Sequence, residues 1–374
     1  MSLPPALEAA RGRLMRWLLE DALPLWAARS RDPEGGFHDR LGLDGAPVAA
    51  AKRVRVQARQ AYVYATAAER GWMPDAEAVS RHALTAMLTM RGDDGLYHNA
   101  APPAAGATYD GMGLIYDQAF ALLALAHGHG LTGEFEPEAD ALRRAIAPFT
   151  VPAGGYAEAP GLAQPLFANP NMHLFESFMA WRDVSPDPVW SERAAGQARL
   201  ALDRLTRGPG LVFEQYDADW RAPQAPLVWP GHLYEWAFLL LRHDPDDGGR
   251  RSAALWLIQQ AEAKGVDHSR GVAMFALDGR LEPVDRGARL WAQTERLRAV
   301  ATAASLTGDD GLWAAALEAC GALEAFLATP TPGLWRDWMD EAGVFREEPA
   351  PATSFYHIVG AIAELERLAS SPLP

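Results

Sequence analysis

With 374 residues, 49% of them hydrophobic and 22% charged, the chain has the composition of a folded globular protein and length for a large core in one domain or two. Its 34 basic and 48 acidic residues give a net charge of −14, with no Lys/Arg-rich run, so the electrostatic footprint of a nucleic-acid or anionic-membrane binder is missing. Lysine is confined to Lys52 and Lys264, no glycine-rich run ends in Lys-Ser/Thr, and Cys320 is the sole cysteine. That restricts Schiff-base chemistry to two positions and excludes a phosphate loop, an internal disulfide and a thiolate zinc cluster.

Apolar residues recur at helical spacing almost throughout, and few strand alternations compete. Breaks at Gly and Pro predict helices over 4–29, 52–70, 74–90, 111–130, 134–147, 169–185, 187–207, 229–242, 249–265, 285–306, 309–328 and 353–370. Short links (71–75, 185–188) alternate with long ones, and the proline-rich 101–107 reads as part of a long loop. Each long link carries a glycine followed by a large apolar or aromatic residue: Gly36-Phe37, Gly95 before Tyr97, Gly155-Tyr156, Gly210 before Phe213, Gly271 before Phe275, and Gly333 before Trp335. Those glycines lie 59, 60, 55, 61 and 62 positions apart. Six units of about 60 residues follow, each a helix pair that must bury a face on its neighbours. We expect an all-α fold in one domain, 1–374, closed as a toroid with six inner and six outer helices; an open solenoid is the alternative.

The inner helices should begin at the mouth of such a toroid, and their first turns are unusually polar. In chain order they hold Gln57 and Arg59; Tyr116, Asp117 and Gln118; His173 and Glu176; Trp229, His232 and Glu235; Arg289, Trp291, Gln293 and Glu295; and His357. MHLFE and GHLYE place two His 59 residues apart, one repeat unit, each with Glu three positions on. Residues at i and i+3 share a helix face, so Glu176 is expected to orient His173 and Glu235 to orient His232. His38, His98, His243 and His268 read as solvated surface.

Histidines titrating near neutrality suit proton transfer next to a carbonyl, and arginine and tryptophan suit binding of a sugar. Such a reaction needs no cofactor. Three readings compete. The His and carboxylates could hold a metal ion, although no tight ligand motif occurs. A pair among Asp117, Glu176, Glu235 and Glu295 could serve a glycosidase. A non-catalytic sugar-binding protein is the blandest, but buried polar groups on every inner helix are costly unless used.

The ordered set QARQAY, YDQAFALLALA, NPNMHLFE, WPGHLYEW, RLWAQTE and FYHI resembles the N-acylglucosamine 2-epimerase superfamily, which includes cellobiose 2-epimerases and bacterial mannose and sulfoquinovose isomerases. The resemblance implies an (α/α)6 barrel, with His232 and His357 as the catalytic pair and His173 as a third histidine at the sugar. It further implies that Arg59 holds the sugar and steadies an enediolate, that Glu235 and Glu295 support the site, and that Trp291 stacks on the ring. A tryptophan usual four residues before that arginine is replaced by Arg55. The expected activity is aldose–ketose isomerisation, D-mannose to D-fructose, with 2-epimerisation as the alternative. His232, aided by His173, is expected to open the ring, and His357 to take the C2 proton. A phosphorylated sugar is disfavoured because the mouth segments offer only Arg53, Arg55, Arg59 and Arg289. That objection lapses if the four converge.

The N-terminus lacks the apolar core of a signal peptide, and the longest apolar stretch, 119–126, is far below the roughly 18 residues of a membrane span. A cytoplasmic monomer or homodimer, whose partner is a small sugar, is the expectation.

Overall fold

A computed structural model of the chain describes residues 3–99, 113–161, 165–206 and 210–370. The loop 101–107 and the first residues expected of helix 111–130 lie outside them. The first helical rod runs through α1 (Pro5–Arg16), a π-helical turn (Trp17–Ala22) and α2 (Leu23–Arg29). There follow α3 (Val54–Glu69), α4 (Ala76–Leu88), α5 (Ile115–Thr132), α6 (Glu136–Ala145), α7 (Ala168–Val184) and α8 (Pro188–Leu200). The remainder are α9 (Pro230–His243), α10 (Gly248–Gly265), α11 (Leu290–Thr307), α12 (Asp310–Leu327) and α13 (Thr353–Ser370). Among the described residues, the expected helices recur in order. Residues 285–289 depart from expectation: they are extended, not helical. Ala288 and Arg289 pair with Met339 and Trp338, and a Cβ on Gly287 would lie 2.7 Å from the Trp338 ring. Pairing with a distant strand has overridden local helical spacing.

The ring is closed. α3 packs on α5, α5 on α7, α7 on α9, α9 on α11, α11 on α13, and α13 back on α3. These inner helices are buried on all sides: residues 117–126 of α5 and 230–241 of α9 are buried without a break. Outer helices are amphipathic, and α6 buries only Ala139 and Leu142, as expected of a helix facing water on one side. Five outer helices pair with the inner helix before them, whereas α1 packs on α12 and α13. The sixth pair therefore joins the first and last helices. At that seam Arg40 and Leu41 pair antiparallel with Pro351 and Ala350, and Trp26 Nε1 donates to the Gly333 carbonyl at 3.1 Å.

The loop repeat has a physical cause. All six repeat glycines are left-handed, with φ from 69° at Gly271 to 89° at Gly333, a region closed to most side chains. Just beyond the glycine, a side-chain amide from the inner helix bonds both backbone groups of a loop residue. Gln57 clamps Phe37, Gln118 clamps Tyr97, Asn171 clamps Tyr156, and Gln293 clamps Ala273, at 2.8–3.0 Å. Each amide is the fourth residue of its helix.

Candidate active site

Outer helices α8, α10 and α12 begin on Asp187, Asp247 and Asp309, whose carboxylates accept from first-turn N–H groups. Inner helices α3, α5, α7, α9 and α11 instead start from extended residues with no side-chain cap. The first N–H of α3 donates to Asn99 Oδ1, and those of α5, α7 and α11 donate to the carbonyls of Glu158, Glu214 and Asp337; these electropositive ends surround a cavity of about 210 Å³. First- and second-turn side chains line it: Arg55, Arg59, Tyr116, His173, His232, Glu235, Trp291 and His357, with Arg53, Arg289, Trp229 and Phe275 at its edge.

Two His–Glu dyads stand in this cavity, though not the expected ones. His232 Nδ1 lies 2.8 Å from Glu214 Oε2, and His357 Nδ1 lies 2.8 Å from Glu295 Oε1. Each leaves Nε2 for a substrate. The i+3 expectation fails for His232, because Glu235 points instead toward His173, 3.7 Å from its Nδ1. For His173 it holds loosely, with Glu176 at 3.5 Å. Glu214 was missed because it sits in a loop, 18 residues from the histidine it serves; its only signal was proximity to Gly210. Trp291 packs against both dyads, its ring centroid 4.9 Å from His232 and 5.9 Å from His357. A Cβ on Gly231 would sit 2.4 Å from the Trp291 ring, which explains the glycine in GHLYE.

Burial sets the protonation states. His357 is held well below the usual histidine range, by desolvation first and then by Arg59, His173 and Arg298. Desolvation likewise lowers His173 to about 4. Both are neutral at neutral pH, as a base must be. Glu176 falls to about 2: burial opposes its ionisation, but His173 at 3.5 Å, the Arg298 charge and the Tyr356 hydroxyl outweigh it, so it is anionic. Glu235 is raised far above the carboxylate range by burial and by the charges of Glu295 and Glu176.

Arg53, Arg55, Arg59 and Arg289 all line the cavity, so the arginines do converge. Three are already paired: Arg53 with Asp39 at 2.5 Å, Arg55 with Asp117 at 2.7 Å, and Arg289 with Asp337 at 2.5 Å. Arg59 is not. Its Nη1 donates to the Thr353 carbonyl at 3.0 Å and its Nη2 to Tyr116 Oη at 2.9 Å, and its guanidinium lies 4.0 Å from the Phe120 ring centroid. Among the described residues no carboxylate meets it, although it is only 5% exposed. A buried cation without a counter-charge is a site for an anion.

Two expected binding residues do other work. Asp117 is engaged by Arg55, and Gln118 is spent on the Tyr97 backbone; neither lines the cavity. His38, His98 and His243 are half-buried, and only His268 among those four is well exposed. Two groups of these side chains could also be read as metal ligands. His173, Glu176 and Glu235, or Glu235, Glu295 and His357, bring one ligand atom each within 4.8 Å of one another. However, Tyr356 Oη donates to Glu176, and His357 and Arg298 both bond Glu295. Glu176, Glu295 and His357, being committed to protein hydrogen bonds, suit a proton-transfer site better than an ion, whereas Glu235 and His173 Nδ1 have no such partner.

The closed ring of six helix pairs is a fold that this chain shares with solved sugar isomerases and epimerases, and also with an unsaturated glucuronyl hydrolase. Residues 35–361 match the family model of N-acylglucosamine 2-epimerase, and the chain belongs to that family. It is 39% identical, over 95% of its length and 96% of the relative's, to a mannose-6-phosphate isomerase of Rhizobium meliloti (strain 1021). It is 31% identical to a D-mannose isomerase of Thermobifida fusca, covering 81% of this chain and 82% of that one. Among solved structures, the fold matches a cellobiose 2-epimerase from Spirochaeta thermophila DSM 6192 with a TM-score of 0.87, at 20% identity over 99% and 98% of the two chains.

Proposed function

We propose that this chain is an aldose–ketose isomerase that converts a mannose-configured aldose to the fructose-configured ketose through a cis-enediolate. The observation that carries the reading is the pair of His–Glu dyads flanking one cavity together with Arg59, a buried cation lacking a carboxylate partner. The sugar ring lies against Trp291. Once it is open, neutral His357 takes the C2 proton at Nε2 while Glu295 steadies the imidazolium. Charge gathers on the enediolate oxygens and meets Arg59, a preorganised donor in a site shielded from water. His357 then returns the proton to C1, and His232, held by Glu214, moves the hydroxyl proton between O2 and O1. The 2-epimerase alternative differs in one step: the second histidine would return the proton to C2 from the opposite face.

D-mannose to D-fructose is the simplest form of the reaction. The 6-phosphate is a second reading with its own support, since Arg53, Arg55 and Arg289 stand at the cavity edge and one relative bears the name mannose-6-phosphate isomerase. The deciding experiment incubates the protein in D2O with D-mannose, D-mannose 6-phosphate, N-acetylmannosamine and cellobiose, followed by proton NMR. A ketose product supports the isomerase; a C2 epimer overturns it in favour of the epimerase; release of glucose from cellobiose would indicate a glycosidase. If the phosphate is read by the arginines, Arg53→Gln and Arg289→Gln should each raise KM for mannose 6-phosphate by tenfold or more and barely alter KM for mannose. Equal effects on both sugars would sink the phosphate reading alone.

A further inference from the structure

Three carboxyl groups crowd the middle of the barrel, and they are not equivalent. Glu176 is bonded by Tyr356 Oη and lies 3.8 Å from Arg298. Glu295 accepts from Arg298 Nη1 at 3.0 Å and faces His357. Glu235, on α9, is 1% exposed, yet neither of its oxygens meets a hydrogen-bond donor among the described residues. The nearby guanidinium groups turn their Nη donors elsewhere, Arg298 to Glu295 and Arg59 to Thr353 and Tyr116, and the Nε of each has no partner. His173 Nδ1 on α7, itself without a close partner, lies 3.7 Å from Glu235 and 3.5 Å from Glu176. Both residues line the substrate cavity. Buried polar groups are nearly always satisfied, so a carboxyl left bare between two paired ones requires an explanation.

Opening a pyranose needs a base at the O1 hydroxyl and an acid at the ring oxygen O5, and in the reaction above the two dyads serve the carbon and hydroxyl proton transfers that follow. We propose that His173 and Glu235 form the acid–base pair that opens the sugar ring, His173 acting at O1 and Glu235 at O5. This rests on the isomerase reading above. His173 Nε2 takes the O1 proton and the O1–H electrons become the second bond of C1=O1. The C1–O5 pair withdraws to O5, which takes the proton of Glu235. Imidazolium and carboxylate then face each other, with Glu176 as a second counter-charge. The reverse step, as the product ring closes, returns a proton to Glu235 and frees His173 Nε2. No external donor is needed. The environments already divide the roles, because burial keeps His173 neutral and, with two neighbouring carboxylates, keeps Glu235 protonated. His232 is thereby left to the O1/O2 transfer.

The test separates ring opening from isomerisation. 2-Deoxy-D-glucose and its 6-phosphate can open but lack the C2 oxygen needed to become a ketose. Wild-type protein should accelerate exchange between their anomers, read by NMR magnetisation transfer. Glu235→Gln should lose at least tenfold of that acceleration, while His357→Ala keeps it and loses isomerisation. Anomer exchange by Glu235→Gln at the wild-type rate, or a wild type that isomerises mannose without accelerating exchange, overturns the pair and leaves the isomerase reading intact. A wild type that accelerates exchange but yields no ketose from any sugar sinks that reading and leaves the pair standing. Should Glu235→Gln fold poorly, Glu235→Asp keeps an acid and should retain part of the acceleration. In the folded wild type, the infrared spectrum at neutral pH should carry a protonated-carboxyl C=O band that Glu235→Gln lacks; a carboxylate band in its place overturns the assignment.

Discussion

In the proposed reaction His357 is the base at C2, and its environment makes two claims that can be measured. His357→Asn should lower kcat by roughly 10²–10⁴-fold, the usual worth of a positioned general base, with circular dichroism and melting temperature near wild type. Because burial holds His357 well below its ordinary range, kcat/KM should stay level as pH falls through 6.5 and drop only further into acid. A break near 6.5 would contradict a buried base. His173 adds a stability effect. Its folded value is about 4 against an ordinary 6.5, so between those limits the unfolded chain binds a proton that the folded chain refuses. Stability therefore falls as pH drops from 6.5 to 4, by roughly 3 kcal/mol from this group. His173→Asn should flatten that slope in denaturant titrations at pH 7 and pH 5; an unchanged slope would assign it to other groups.

At the scale of the element, the sequence shows the periodicity but hides which polar residues hold the scaffold. Gln118 looks like a ligand by position and proves to be a clamp on Tyr97. Gln118→Leu should orphan one buried N–H and one C=O, at about 1–3 kcal/mol each, and melting should register the loss while KM changes little. Arg296 is similar: it looks like one more charge on α11. In the structure it is fully buried, bonding both oxygens of Glu262 on α10 at 2.8 Å and also reaching Glu318 on α12. Tyr234 on α9 donates to the same Glu262. Arg296→Met strands those carboxylates and should cost roughly 3–5 kcal/mol; a loss below 1 kcal/mol would mean the cluster relaxes into water. The twelve expected helices, the repeat glycines and the histidines were legible because helical period, positive φ and side-chain type are local properties. The Glu214 partner, the bare Glu235 and the extended 285–289 were not, because distant segments decide them.

For the whole molecule, closure is the property that the repeat arithmetic alone left open between toroid and solenoid. Contact of α13 with α3 settles it. An open array frays from its end repeats, whereas a ring has no weak end. In native-state hydrogen exchange, α3 and α13 should therefore be protected as well as α7 and α9. Markedly faster exchange in α3 and α13 would mean that the seam opens on its own. The same seam bears on how the site comes into being during synthesis. Arg59 emerges early and His173 and His232 midway, but His357 rides on the last helix, and that helix must find both α3 and α1 before it has a place. A nascent chain of five helix pairs would hold the arginine, two histidines and Trp291 in an open arc facing water. The cavity of the proposed reaction comes into existence in a single event, when α13 enters the gap.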